Sequence, residues 1–109
     1  MKKIFALSIA MITLAALTAR AEDAKTTYEN SCAKCHGSDG KGDTKMGKKL
    51  GAKDYTDAKV QAALTDDAAA KAIKEGLKDS DGKSLMKATE GVSDSDIKGL
   101  VAYMRTFKQ

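Results

Sequence analysis

The sequence is poor in the bulky side chains that usually fill a hydrophobic core. Its 109 residues include two Phe, three Tyr and no Trp. Strand-like alternation of apolar and polar residues is absent, and helix-forming residues dominate. A short chain often needs a disulfide, a metal or a cofactor to complete its core. The sequence therefore predicts a small all-α domain that such a group completes.

The chain also lacks a basic block with interleaved aromatic residues, which is typical of a nucleic-acid-binding surface. The full sequence has 19 basic and 15 acidic residues. Three of the basic residues, Lys2, Lys3 and Arg20, lie in a segment predicted below to be removed, and 16 remain without them. The mature chain is therefore nearly neutral, and no nucleic-acid partner is expected.

Residues 1–21 predict a cleaved export signal. Two lysines are followed by an apolar run from Ile4 to Leu17, and these fourteen residues are fewer than the about 20 of a membrane-spanning helix. The small residues Ala19 and Ala21 predict cleavage after Ala21. The mature chain, residues 22–109, is then a periplasmic protein without stable membrane insertion. An uncleaved membrane anchor is the alternative.

Residues 22–109 contain no internal repeat and no low-complexity linker, so a single domain is predicted. The glycine-rich stretch that begins at Gly37 and continues past Gly51 predicts a loop, and Asp79–Gly82 predicts a solvated turn and not a calcium loop. Apolar spacing predicts helices from about Asp23 to Ala33, after Asp57, around Ala69 to Leu77, and after Ser93.

The last of these helices has the clearest pattern. Ser93 is the predicted N-cap, and Asp96 lies three residues later, where the acid of a capping box belongs. An apolar stripe then follows at helical spacing, so this helix must pack against another apolar surface. The stripe consists of Ile97, Leu100, Val101 and Met104, extended by Phe107 and flanked by Tyr103.

Cys32-Ala33-Lys34-Cys35-His36 is the one motif that indicates specific chemistry. In a C-x-x-C-H run each thiol can add to a vinyl group of haem, and the histidine that follows can present its imidazole to the iron. His36 is the only histidine in the chain. The motif predicts one haem c, attached through Cys32 and Cys35 and ligated by His36.

Other interpretations of the same residues are less well supported. A thiol–disulfide redox pair usually lies on a βαβ scaffold, and no strands are predicted here. A zinc site takes four protein ligands, whereas two cysteines and one histidine supply three. A structural disulfide between Cys32 and Cys35 would close too short a loop to constrain much of the unfolded chain.

With this motif, the mature sequence resembles the monohaem class I c-type cytochromes of bacteria. Tyr28 lies four residues before Cys32 and Ala24 four before that, where such cytochromes commonly have an aromatic and a small residue on the first helix. Leu100-Val101-Ala102-Tyr103 is similar to a segment of their last helix. The resemblance implies a cytochrome c fold of about four short helices around one haem, in which Ala24 and Tyr28 meet Leu100 and Tyr103 where the terminal helices cross.

The resemblance also implies a sixth iron ligand, usually a methionine from a loop before the last helix. Three methionines follow the signal: Met46, Met86 and Met104. Met104 is on the apolar stripe and is expected in the core. Met46 lies ten residues after His36, in a loop expected along the histidine side of the ring. Met86 lies between the last two helices and is the predicted ligand, with Met46 as the alternative.

The sequence departs from the family pattern because it contains no proline. Relatives often have one proline just after the axial methionine and another in the loop after the histidine. Without them the ligand loop is expected to be less stiff, which would weaken the bond from Met86 to the iron. The carbonyl that accepts the His36 Nδ1–H is expected within residues 37–47.

A haem with His36 and Met86 as ligands has no open coordination position, so the resemblance implies an electron carrier and not an enzyme. Its partners would be a redox donor and an acceptor that touch the haem edge briefly, through less than about 1,200 Å². A monomer is expected. The lysines that could steer an acidic partner are Lys34, Lys41, Lys45, Lys48, Lys49, Lys83 and Lys87.

The alternative function is a five-coordinate haem protein that binds gaseous or peroxide ligands. Such bundles usually have the haem motif near the C-terminus, whereas here it follows the first helix. A peroxidase would need a catalytic base over an open iron face, and the chain has no second histidine.

Overall fold

The computed structural model describes residues 23–109, which form six helical segments and one short β-hairpin. The predicted signal peptide and its cleavage site lie outside the described residues. No helix within 23–109 is long and apolar enough to cross a membrane. The elements are α1 (residues 23–31), α2 (Ala33–His36), α3 (Lys45–Leu50), α4 (Ala58–Ala63), α5 (Asp66–Glu75), β1 (Leu77–Lys78), β2 (Ser84–Met86) and α6 (Asp94–Arg105).

The two middle helices, α4 and α5, lie where the apolar spacing predicted helices, except that α5 ends at Glu75 and the predicted helical residue Leu77 is an exposed residue of β1. The Asp57 side chain accepts a hydrogen bond from Lys59 N at 2.8 Å and caps α4. Thr65 caps α5 through Ala68 N at 3.1 Å, and Gly76 ends α5 with a φ of 79°. These caps determine where the helices start, because they satisfy N–H groups that have no partner inside the helix.

The last helix, α6, has the predicted capping box and apolar stripe. Asp96 N donates to Ser93 Oγ at 3.1 Å, and Ser93 N donates to the Asp96 carboxylate at 3.0 Å. Both halves of the box are therefore present. The stripe faces α5 and the core, and its four residues are buried: Ile97, Leu100, Val101 and Met104.

The terminal helices α1 and α6 cross at close range, as the resemblance implied. Ala24, Tyr28 and Leu100 are buried in one core cluster, and Tyr103 packs against it. The Tyr28 and Tyr103 rings are tilted, with centroids 5.3 Å apart. A Cβ added to Gly99 would lie 3.7 Å from the Ala24 Cβ, so the two backbones approach each other at this point.

The glycine-rich segment contains the helix α3, although a loop was predicted there. Thr44 Oγ1 caps α3 by accepting from Gly47 N at 2.9 Å, and Gly51 ends it with a φ of 74°. Gly47 lies inside α3. Glycine is needed at this position because a Cβ there would overlap the carbonyl oxygen of Cys35. This glycine therefore marks the close packing of α3 on α2, and not a turn.

An antiparallel hairpin precedes α6, although no strands were predicted. Leu77 of β1 pairs with Met86 of β2. Strands of two and three residues are too short to produce a recognisable alternation. The turn expected at Asp79–Gly82 closes the hairpin, because Asp79 Oδ1 accepts from the N–H groups of Asp81 and Lys83, both at 2.9 Å.

Candidate functional site

The Cys-x-x-Cys-His motif lies where α1 passes into α2. Cys32 N donates to Tyr28 O at 2.8 Å, and Cys32 O accepts from His36 N at 3.0 Å. Cys32, Cys35 and His36 are half-buried, and both thiols are free. The structure thus brings these three predicted site residues together on one helical turn.

The surroundings of the thiols do not suit disulfide exchange. Burial raises the pKa of Cys32, and the neighbouring Cys35 raises it further. A cysteine that exchanges disulfides needs a lowered pKa, because the thiolate is the nucleophile. Within residues 23–109, no group of three or more His, Cys, Asp or Glu side chains is arranged to hold a metal ion.

His36 presents a neutral imidazole. Burial lowers the pKa of His36, and an interaction with the Lys53 backbone partly opposes this shift. That interaction lies outside ordinary hydrogen-bond geometry, since the buried Nδ1 atom has no partner at normal distance and angle. The expected acceptor within residues 37–47 is therefore wrong. The backbone group that acts on the ring belongs to Lys53.

The segment after the motif satisfies the carbonyl groups at the end of α2. Gly42 N donates to His36 O at 2.7 Å, and Thr44 Oγ1 donates to Cys35 O at 2.7 Å. Gly42 has a φ of 68°, and a Cβ there would lie 2.8 Å from two backbone carbonyl oxygens, one of which is that of Lys53. Glycine is required at this position because no other residue fits this conformation and this space.

Tyr28 connects the helix crossing to the motif. Its hydroxyl donates to Gly37 O at 2.7 Å, directly after His36. Burial raises the pKa of Tyr28 far above its usual value, and Cys32 raises it further, so the hydroxyl stays protonated and able to donate. The Tyr28 ring also lies 5.2 Å from the Phe107 ring, between centroids. Movement of α1 against α6 would therefore disturb Gly37, because the Tyr28 hydroxyl is bonded to its carbonyl.

Tyr55 is a site residue that the sequence analysis did not identify. Its ring is stacked on the His36 imidazole, with the centroids 4.8 Å apart and 23° between the planes. Burial raises the pKa of the Tyr55 hydroxyl, and Cys32 raises it further. Nothing in the sequence around Tyr55 indicates contact with a residue nineteen positions earlier.

Met86 lies at the edge of an open cleft of about 700 Å³. Ser31, the residue before Cys32, lines the same cleft. Cys32 and Met86 both pack against the hydrophobic core. Pockets for cofactors and other small molecules typically measure about 300–1,000 Å³. Met86 thus lies at a cleft of suitable size that reaches Ser31, whereas Cys32, Cys35 and His36 are not among the residues that line it.

The other two methionines lie elsewhere. Met104 is buried in the core on α6, as predicted, with 6% of its surface exposed. Met46 is half-buried on α3, which packs against α2, the helix that carries Cys35 and His36.

These residues fit a covalently attached haem. Two free thiols and a neutral imidazole lie on one turn, and a thioether lines the cleft that reaches Ser31. No large side chain of residues 23–109 is fully buried. A core of this kind is expected where a further apolar group completes a small domain.

A polar network around the buried side chain of Gln61 holds the backbone of Tyr55, and no sequence pattern predicted it. Gln61 is 5% exposed, and its Nε2 donates to Tyr55 O at 2.7 Å and to Met104 O at 3.1 Å. Arg105 Nη1 donates to Gln61 Oε1 at 2.8 Å, and Arg105 Nη2 pairs with Asp66 Oδ1 at 2.8 Å. The network ties the end of α6 to α4, to α5 and to Tyr55.

The seven lysines predicted to face a partner are all exposed. Within residues 23–109 none of them forms a salt bridge. Four of them lie on or just before α3, and Lys83 and Lys87 lie on either side of β2. Their charges are therefore available to an acidic surface.

Comparisons with known proteins agree with this geometry. The model of the cytochrome c family matches residues 21–108. Among solved structures, the chain is similar to the KustC0563 c-type cytochrome, with 31% sequence identity and a TM-score of 0.68, over 78% of this chain and 96% of that chain. No curated protein matches the chain.

Proposed function

Because the chain belongs to the cytochrome c family, we propose that it is a periplasmic electron carrier that shuttles single electrons between redox partners through one haem c. The observation that carries the proposal is the position of Cys32, Cys35 and His36 on one turn, directly after Ser31, which lines the same cleft as Met86. When bound, the haem would supply the redox chemistry, which is the exchange of one electron at its iron. The family fits an electron carrier better than an enzyme.

Each site residue has its own task in this proposal. Cys32 and Cys35 hold the haem through thioether bonds, so that a small core need not retain it by packing alone. His36 would supply one iron ligand, and its lowered pKa keeps the imidazole neutral and able to bind metal. Met86 would supply a second ligand and so leave no position on the iron for external ligands.

The backbone around Met86 supports its role as the ligand. Met86 pairs with Leu77 in the hairpin. A Cβ on Gly76 would lie 2.5 Å from Met86 O and 2.8 Å from Ala88 N, so the ligand segment is packed tightly against the end of α5. The hairpin and this contact restrain the segment, which opposes the looseness expected from the lack of proline. Met46, on α3, is the weaker candidate.

The exposed lysines support an acidic redox partner that docks near the haem edge. Charges of opposite sign speed diffusional encounter, and salt screens them. Charge reversal at Lys48 and Lys49 together is expected to lower the second-order rate constant for electron transfer to an acidic redox protein by about 3–10-fold at low ionic strength. Stopped-flow measurements over a series of salt concentrations check this.

The control for this experiment is charge reversal at Lys98 and Lys108 together, two exposed lysines on and just after α6. It is expected to change the rate constant much less than reversal at Lys48 and Lys49. Equal losses at both places would indicate a general charge effect and would remove the support for docking beside the motif.

The proposed function as a whole is tested on the protein matured in a bacterial periplasm. We expect a c-type pyridine haemochrome, one haem per chain by mass, and reversible one-electron oxidation without binding of carbon monoxide. The variant with both Cys32→Ser and Cys35→Ser is expected to lose the covalent haem. A wild-type chain without covalent haem would overturn the proposal, and carbon monoxide binding by the native ferrous protein would favour the five-coordinate alternative.

A further inference from the structure

We propose that Tyr55 is a positioning residue for the axial imidazole, because its ring stacks on His36 and fixes the plane of the histidine. This inference rests on the proposed function, in which His36 binds iron. Stacked aromatic pairs favour offset arrangements with centroids about 4.5–7 Å apart, and the 4.8 Å between His36 and Tyr55 is at the close end of that range.

The stacked pair is separate from the aromatic cluster of the core. Three contacts join Tyr28, Tyr103 and Phe107 to one another, with centroids 5.2–5.3 Å apart. These three rings belong to the crossing of α1 and α6. Among residues 23–109, Tyr55 is the aromatic residue that stacks on the histidine.

The backbone of Tyr55 is held on both sides. Tyr55 N donates to Gly40 O at 2.8 Å, and Tyr55 O accepts from Gln61 Nε2 at 2.7 Å. Gln61 is itself buried and held by Arg105 through its other amide atom. The backbone that carries the Tyr55 ring is therefore held in place. A residue that orients another side chain needs such a fixed backbone.

His36 needs such a support because its other restraint is weak. A metal-bound imidazole usually donates its second N–H to a carboxylate or carbonyl, and this bond fixes the ring plane. In this structure the buried Nδ1 has no hydrogen bond of ordinary geometry. The face-to-face contact with Tyr55, beside the interaction with the Lys53 backbone, therefore restrains rotation of the imidazole.

The hydroxyl of Tyr55 is not needed for this task, and that separates the proposal from a hydrogen-bonding role. Tyr55→Phe keeps the ring and is expected to behave like the wild type. Tyr55→Leu keeps an apolar side chain but removes the stack, so the imidazole can adopt several orientations. The effect is expected in the properties of the bound iron and not only in stability.

The experiment compares low-temperature electron paramagnetic resonance spectra of the ferric holoprotein in the wild type, Tyr55→Phe and Tyr55→Leu. The g-values and line widths report the ligand field, which depends on the orientation of the axial imidazole. We expect a shifted and broadened largest g-value in Tyr55→Leu, and wild-type values in Tyr55→Phe. The control is Tyr103→Leu, the same change at another half-buried tyrosine, which is expected to lower stability without shifting the g-values.

A pyridine haemochrome from the same samples separates this inference from the proposed function. The haemochrome is measured on denatured protein and reports covalent haem whether or not Tyr55 orients His36. If the haem is attached and Tyr55→Leu has wild-type g-values, or if Tyr103→Leu shifts them equally, the inference is wrong and the electron-carrier proposal stands. A wild type without covalent haem overturns both.

A measurement on the wild type covers the case in which Tyr55→Leu does not fold. In the reduced holoprotein, nuclear Overhauser contacts are expected between the ring protons of His36 and Tyr55. Their absence in a folded, haem-loaded protein would overturn the stacking on which the inference rests.

Discussion

Met86→Ala is expected to abolish the weak near-infrared sulfur-to-iron charge-transfer band of the oxidised protein. The reduction potential should fall by on the order of 0.1–0.2 V, within the roughly 0.8 V that axial ligands span. The reason is that a thioether ligand favours ferrous iron, so its loss favours the ferric state. The vacated position should also let the ferrous protein bind carbon monoxide. Visible and near-infrared spectra, redox titration and carbon monoxide difference spectra check these three effects.

Met46→Ala is the matched control, since it truncates the other half-buried methionine, which lies on α3. It is expected to keep the band and the potential of the wild type. If Met46→Ala loses the band and Met86→Ala keeps it, the assignments of the two methionines are reversed. If both variants keep it, neither side chain is the ligand.

The chemistry of the site could be predicted from the sequence because its central residues are close together along the chain. Cys32, Cys35 and His36 lie within five consecutive residues, and their types and spacing alone favour haem over zinc or a redox disulfide. One helical turn then brings them together in any helical fold. A motif whose members are this close needs no tertiary information.

The helix α6 was predictable for a similar reason. Both of its features lie within one helix and depend only on the backbone of that helix. They are the capping box of Ser93 and Asp96 and the apolar stripe from Ile97 to Met104. The structure confirms both features. The crossing of α1 and α6 was predicted from the resemblance to a family, since the sequence pattern of either helix alone does not indicate which helix it packs against.

The features that escaped prediction are contacts between distant residues. Tyr55 stacks on His36, and Gln61 bonds to Met104 and Arg105, which are 43 and 44 residues away. No local period or motif encodes such pairs. Gly47 was misread for the same reason, because its role depends on the Cys35 carbonyl against which α3 packs.

Gln61→Leu is expected to lower the free energy of unfolding by about 1–3 kcal/mol, since it leaves buried polar groups without their partner. Tyr55 O loses the donor at 2.7 Å, and Arg105 Nη1 loses the side-chain acceptor at 2.8 Å. Leucine has a similar volume, so the loss comes mainly from hydrogen bonding and less from a cavity. Urea unfolding of the holoprotein, followed by far-UV circular dichroism, checks the value.

Two further variants separate the network from a general effect on α4. Lys59→Leu introduces the same side chain at an exposed position of that helix and is expected to change stability by no more than about 0.5 kcal/mol. Arg105→Met, alone and combined with Gln61→Leu, completes a double-mutant cycle, for which we expect a coupling of about 0.5–3 kcal/mol. A Gln61→Leu loss no larger than that of Lys59→Leu would contradict the network, because the same leucine costs stability only where it leaves buried partners unsatisfied.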